Sequence, residues 1–155
     1  MGRVRLLFST SRHPLSAVIR AATWSRWSHV SIISGDTVIE AAAVVGVRVI
    51  SLAAAIQHAK ACEIVEVDCP DPLAVISLAL GQVGKPYDYA AIFGIGVHRN
   101  WQDDDAWFCS ELVAWAFEAA GYPLFRAECM RRVTPQHIWM LPPGPPGEAA
   151  PARAD

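Results

Sequence analysis

The chain has 155 residues, the length of one domain, and its 53% apolar and 18% charged composition belongs to a packed core rather than a disordered chain. A net charge of -2 and only two lysines, Lys60 and Lys85, leave little from which to build the basic face of a nucleic-acid binder. The longest charge-free run without a proline cluster, residues 72–84, is well short of the roughly 18 residues of a membrane-spanning helix.

Residues 4–8 read as a first strand, and 15–22 as a short apolar helix after the His13-Pro14 loop. Residues 29–33 alternate and are β-branched, which favours a strand. Gly35-Asp36 supplies a hairpin turn, so 37–40 returns as the partner strand. A strand is expected at 47–50, a helix at 52–61, and a strand at 64–67 closed by Cys69-Pro70. Asp71 is a good N-cap and Pro72 is tolerated at the first helical position, predicting a helix that runs to Gly84. Pro86 to Tyr89 opens another short helix, and 100–105 is polar and loop-like. Residues 108–120 carry the clearest helical pattern, with Leu112, Val113, Ala116 and Phe117 on one face and Gly121 as the stop. Proline, glycine and alanine dominate from Pro142, so 142–155 is expected to be a disordered tail behind a single domain at 1–141. Strands in the first half and helices in the second predict an α+β fold, one mainly antiparallel sheet packed against helices.

Residues 1–35 hold five arginines (Arg3, Arg5, Arg12, Arg20, Arg26) and no acid, a bias shared with transit peptides. The alternating strand within that stretch favours folded protein instead. Residues 6–8 are too short for the apolar region of a signal peptide, so a cytoplasmic location is expected. Cys62, Cys69, Cys109 and Cys129 form no CxxC pair and read as reduced thiols.

Three positions carry potential chemistry. Cys109 opens the helix of 108–120, where the positive end of the helix dipole favours a thiolate. Taken alone, a buried small hydrophobe is an equally good reading of it. His29 begins a strand and is of the type that takes a proton from a thiol and returns it to a leaving group. If Gly35-Asp36 forms a two-residue turn, Ser34 pairs with Thr37 and the register continues to Ser31 opposite Glu40. Glu40 then shares a face with His29, diagonal to it, in position to fix the imidazole tautomer.

Four segments, Ser28-His29-Val30-Ser31-Ile32, Val38-Ile39-Glu40-Ala41, Gly84-Lys85-Pro86-Tyr87-Asp88-Tyr89 and Phe108-Cys109-Ser110-Glu111-Leu112-Val113, occur in this order. In that order they resemble circularly permuted NlpC/P60 cysteine hydrolases, in particular the YiiX/YaeF-like group, which is distantly related to the lecithin:retinol acyltransferase family. Thr134-Pro135-Gln136-His137 is similar to the closing segment of that group. The resemblance covers residues 4–140 and implies a papain-like fold with histidine before cysteine. It also implies Cys109 as nucleophile, His29 as base and Glu40 as orienting residue. Ser31 stands where the family has glycine, which crowds the strand beside the site.

The remaining candidates are weaker. Tyr87 is a candidate substrate-binding or oxyanion-donating residue, with aromatic packing as its alternative; Tyr89 has the same two readings. Trp27 and Trp107 each lie two residues from a proposed catalytic group and are candidates to line a cleft, against core packing as the default. Asp88 reads as a helix cap and Asp103-Asp104-Asp105 as a solvated loop without calcium-site spacing. His137 is a rival base, with a structural role as its alternative. Neither HExxH nor paired cysteines appear, so no metal and no cofactor is expected.

The expected activity is therefore hydrolysis of an amide in a peptide or cell-wall (murein) peptide through an acyl-enzyme. An acyl-lipid ester or amide, handled by a thioesterase or acyltransferase on the same triad, is the alternative, and a non-catalytic peptide- or acyl-binding module comes after it. No nucleic-acid partner and no integral membrane segment are expected, and the oligomeric state is not encoded in any motif.

Overall fold

Alternating strands from the first half of the chain pair into one five-stranded antiparallel sheet in the order β4-β3-β2-β1-β5. The strands are β1 (Gly2–Thr10), β2 (His29–Ser34), β3 (Thr37–Ala42), β4 (Gly46–Ser51) and β5 (Ala61–Cys69). The helices are α1 (Pro14–Thr23), α2 (Leu52–His58), α3 (Pro72–Leu80), α4 (Cys109–Ala119) and α5 (Pro135–Trp139), with a 3-10 turn at Ala127–Arg132 before the last. The structure, a computed structural model, describes residues 2–12, 14–87 and 108–141, with backbone only at 130–132. The expected tail at 142–155 lies outside the described residues. No helix among the described residues is long and apolar enough to cross a membrane.

The predicted α+β architecture is the observed one, and its register is what positions the site. Ser34 pairs with Thr37 across the Gly35-Asp36 turn, and Ile32 with Ile39. Gly35 takes a φ of +57° at the first turn position, the placement that type II′ hairpins reserve for glycine. β1 sets Leu7 beside Ser31 and Ser9 beside His29, and β4 sets Arg48 beside Glu40. One more step of the β2–β3 register puts Ser31 opposite Glu40. Because side chains alternate, Leu7, Ser31, Glu40 and Arg48 then form a row across one face. The adjacent row holds Ser9, His29, Ala42 and Gly46, small residues that leave space around the imidazole.

The opposite face is apolar. Leu6, Phe8, Val30, Ile32, Ile39, Ala41 and Val47 are buried there in one cluster with Val75 and Ala79 of α3. Leu112, Val113, Ala116 and Phe117, the face read from the helical period, complete that cluster from α4. A smaller cluster of Leu7, Ile33 and Val38 lies on the site face under Leu52 and Ala55 of α2.

Three element boundaries differ from expectation by three residues or more, each because hydrogen bonding ends or redirects the element. The helix expected over 52–61 stops at His58, since Ala59 is extended (φ -77°, ψ 139°). Lys60 N–H then donates to the Thr10 carbonyl at 2.7 Å, so β5 starts three residues earlier than the strand expected at 64–67. The helix from Pro72, capped by Asp71 accepting from Ala74 N–H at 3.0 Å, ends at Leu80 and not at Gly84. Residues 81–84 turn so that Gly84 N–H reaches the Val47 carbonyl at 2.9 Å. Tyr87, expected in a short helix, sits in an isolated β-bridge.

Candidate active site

The β2–β3 hairpin brings two titratable side chains together at the sheet's end. His29 Nε2 lies 2.8 Å from Glu40 Oε2. The Glu40 side chain is 8% exposed and that of His29 24%, so the carboxylate is the more deeply buried partner. Arg48 closes on the other carboxylate oxygen, with Nε and Nη2 each 2.8 Å from Oε1. Sequence reading missed Arg48. An arginine alternating with valines at 47–50 was the available signal, but it becomes informative only once the β3–β4 register is known.

Cys109 arrives from the other half of the chain, at the first turn of α4, and is 1% exposed. The N-cap residue Phe108 is extended (φ -86°, ψ 150°) and makes no side-chain cap, so the first N–H groups of the helix are not consumed by a capping side chain. The charge state of His29 responds to Cys109 as well as to Glu40. With Nε2 engaged by Glu40, Nδ1 is the ring nitrogen left for the thiol.

Electrostatics follow from these neighbours. Burial works against charge on the imidazole, but hydrogen bonds and charge from Cys109 and Glu40 outweigh it and push His29 from 6.5 up to about 10. Burial would likewise raise Glu40, yet its bonds to His29 and then Arg48 hold it at about 2, down from 4.5. The arrangement therefore favours an imidazolium supported by an ionised carboxylate.

A cavity of about 370 Å³ opens over this face. His29, Ser31, Glu40, Arg48 and Tyr87 line its polar side, and Leu7, Leu15, Ile19, Ile50 and the α2 alanines Ala54 and Ala55 its aliphatic side. Cys109 does not line it. Ser31 is 1% exposed, and its Oγ is buried there without a hydrogen-bond partner.

Among the other candidates, Tyr87 borders the cavity, 8% exposed, with its ring 6.0 Å from that of Phe108. Trp27 does not fit its expected place in a cleft. It is fully buried between Phe8 and Trp139, with ring centroids 6.3 Å and 5.3 Å away, because position 27 precedes β2 on the core side. Trp107, Asp88, Tyr89 and Asp103-Asp104-Asp105 lie outside the described residues. His137 is spent on a capping box with Thr134, whose N–H lies 3.1 Å from Nδ1. All four cysteines are unpaired. Among the described residues no group of three or more His, Cys, Asp and Glu side chains is arranged to hold a metal ion.

A single antiparallel sheet that delivers its histidine before the cysteine helix arrives is the permuted order of a papain-like fold. The model of the permuted papain-like amidase enzymes, the YaeF/YiiX or C92 family, matches residues 4–141, and the chain belongs to that family. Among solved structures it is similar to the metalloprotein yiiX of Escherichia coli O157:H7, with 24% identity and a TM-score of 0.60. That match covers 76% of this chain and 64% of the other, so this chain spans somewhat less than two thirds of its solved relative. A search of curated proteins finds no match.

Proposed function

We propose that this protein is a cysteine amidase acting on a peptide-type amide, with Cys109 as nucleophile, His29 as general base and acid, and Glu40 as the residue that orients His29. The observation that carries this reading is the 2.8 Å pairing of Glu40 with a His29 whose imidazolium is favoured by Cys109, a cysteine at an uncapped helix N-terminus. The Cys109 sulfur, whose proton already rests on His29 Nδ1, attacks the carbonyl carbon as a thiolate. The oxyanion is met by N–H groups at the start of α4, which no side chain caps. His29 then gives its proton to the leaving amine as the C–N bond breaks, leaving a thioester on Cys109. Water, deprotonated by His29, hydrolyses the thioester and restores the thiol.

The aliphatic side of the cavity, Leu7, Leu15, Ile19 and Ile50, supports a second reading in which the acyl group is that of a lipid ester or amide. The solved relative is described as a metalloprotein, and the described residues here do not fit a resident metal. Both Glu40 oxygens are engaged, and the Arg48 cation beside them would repel a divalent ion. No step above runs through a metal.

The test is the iodoacetamide alkylation rate of each cysteine against pH, read by mass spectrometry in wild type, His29→Ala and Glu40→Ala. Cys109 is expected to react well below pH 8 while Cys62, Cys69 and Cys129 lag, and to lose that advantage in His29→Ala. A Cys109 that behaves as an ordinary thiol regardless of His29 refutes the enzyme and leaves a binding module.

A further inference from the structure

The mechanism above leaves one charged side chain of the site without a role. Arg48 directs two nitrogens at one oxygen of Glu40, at 2.8 Å each, and so leaves the second oxygen to His29. It comes from β4, at the edge of the sheet, but its backbone is held on both sides. Val47 N–H donates to the Lys85 carbonyl at 2.8 Å, Gly84 N–H donates to the Val47 carbonyl at 2.9 Å, and β3 pairs along the other side. The guanidinium is thus placed by a fixed strand, with 40% of the side chain exposed and its working end on a carboxylate that is 8% exposed.

The charge state of the site changes during the reaction, whereas Glu40 must not. Once the leaving amine has taken the proton, the acyl-enzyme holds a neutral thioester and a neutral imidazole. Glu40 is then a buried carboxylate whose partner has lost its charge, a costly state unless another cation stays. Resting on the triad proposed above, we infer that Arg48 is a positioning residue that serves as the permanent counter-ion of Glu40, letting His29 release its proton instead of keeping it. A carboxylate with no second partner would hold the imidazolium too firmly for it to act as an acid, since proton transfer works best when affinities are matched. Among the described residues, the other titratable groups bearing on the imidazole and its cavity are Cys109 of α4, His58 of α2 and Tyr87.

The inference is tested in a Cys109→Ala background, which like the acyl-enzyme carries no thiolate, by following the His29 ring resonances with NMR against pH. Arg48→Met is expected to raise the His29 pKa by on the order of one unit, the effect of removing a positive charge a few ångströms beyond the carboxylate. Arg48→Lys, which keeps the charge, is expected to stay near the parent value, and Glu40→Gln to fall below it. If Arg48→Met does not fold, Arg48→Gln carries the same expectation, because it retains a donor for Oε1 but no charge. A His29 pKa that stays put or falls without the arginine charge, while Glu40→Gln lowers it, overturns the role of Arg48 and leaves the triad intact. A His29 pKa indifferent to Glu40→Gln removes the triad itself.

Discussion

Replacing Glu40 by glutamine keeps the shape of the side chain and removes its charge, so it isolates the electrostatics of the site. The folded carboxyl titrates at about 2 against 4.5 for an unpaired glutamate, which at about 1.4 kcal/mol per unit corresponds to an upper bound of roughly 3–4 kcal/mol of stability. Arg48 and His29 are 40% and 24% exposed, and water screens part of their attraction, so a loss of about 2 kcal/mol is expected at neutral pH. Because the folded pKa is depressed, this stabilisation is complete above about pH 4.5 and disappears as pH falls through about 2. Urea unfolding of wild type and Glu40→Gln at a series of pH values measures it directly. The stability gap should be full at pH 7, shrink between pH 4.5 and 2, and close below that. A gap of the same size at every pH would mean that Glu40 stabilises through shape and hydrogen bonding, and the charge argument for the site would be refuted.

Three further outcomes follow from particular residues. Gly46 has a φ of +85°, and a Cβ there would overlap the Lys85 carbonyl, so Gly46→Ala must either displace residues 84–86 or distort β4. With the left-handed strain of about 1–2 kcal/mol and the weakening of the two Val47 backbone bonds, its thermal midpoint should fall by roughly 5 °C or more; calorimetry showing no change would contradict the described packing. Trp27→Ala empties the space between Phe8 and Trp139 and should cost about 3–5 kcal/mol in chemical unfolding, whereas Trp27→Phe should leave the Cys109 alkylation profile unchanged, as a core residue requires. His137→Ala should lose about 1 kcal/mol through the broken capping box while Cys109 alkylation keeps its pH profile; a collapsed profile would make His137 the base.

What the sequence revealed of the site depended on whether the needed geometry was local. A two-residue turn fixes strand register, so the Gly35-Asp36 pair was enough to place Glu40 diagonal to His29 without any knowledge of the rest of the fold. Arg48 was invisible because β3 and β4 are joined through Ala43-Val44-Val45, where Val44 is in the left-handed region at φ 74° and no turn residue announces the register. The helix of 109–119 was legible from its period and its glycine stop. The ends of α2 and α3 were not, since each is set by a long-range backbone bond, Lys60 to Thr10 and Gly84 to Val47. Trp27 illustrates the same limit from the other side: nearness in sequence to His29 says nothing about which side of the strand the indole takes.

The site is also divided in time. His29, Glu40 and Arg48 fall on three consecutive strands joined by tight connections, so their contacts close only short loops and this charged half forms at little entropic cost. Cys109 joins from a helix made much later. During synthesis His29, Glu40 and Arg48 leave the ribosome before Cys109 exists, and the cysteine joins them only when α4 docks on β2 and β3. A growing or half-folded chain therefore carries only ordinary thiols, and the reactivity proposed for Cys109 belongs to the finished fold.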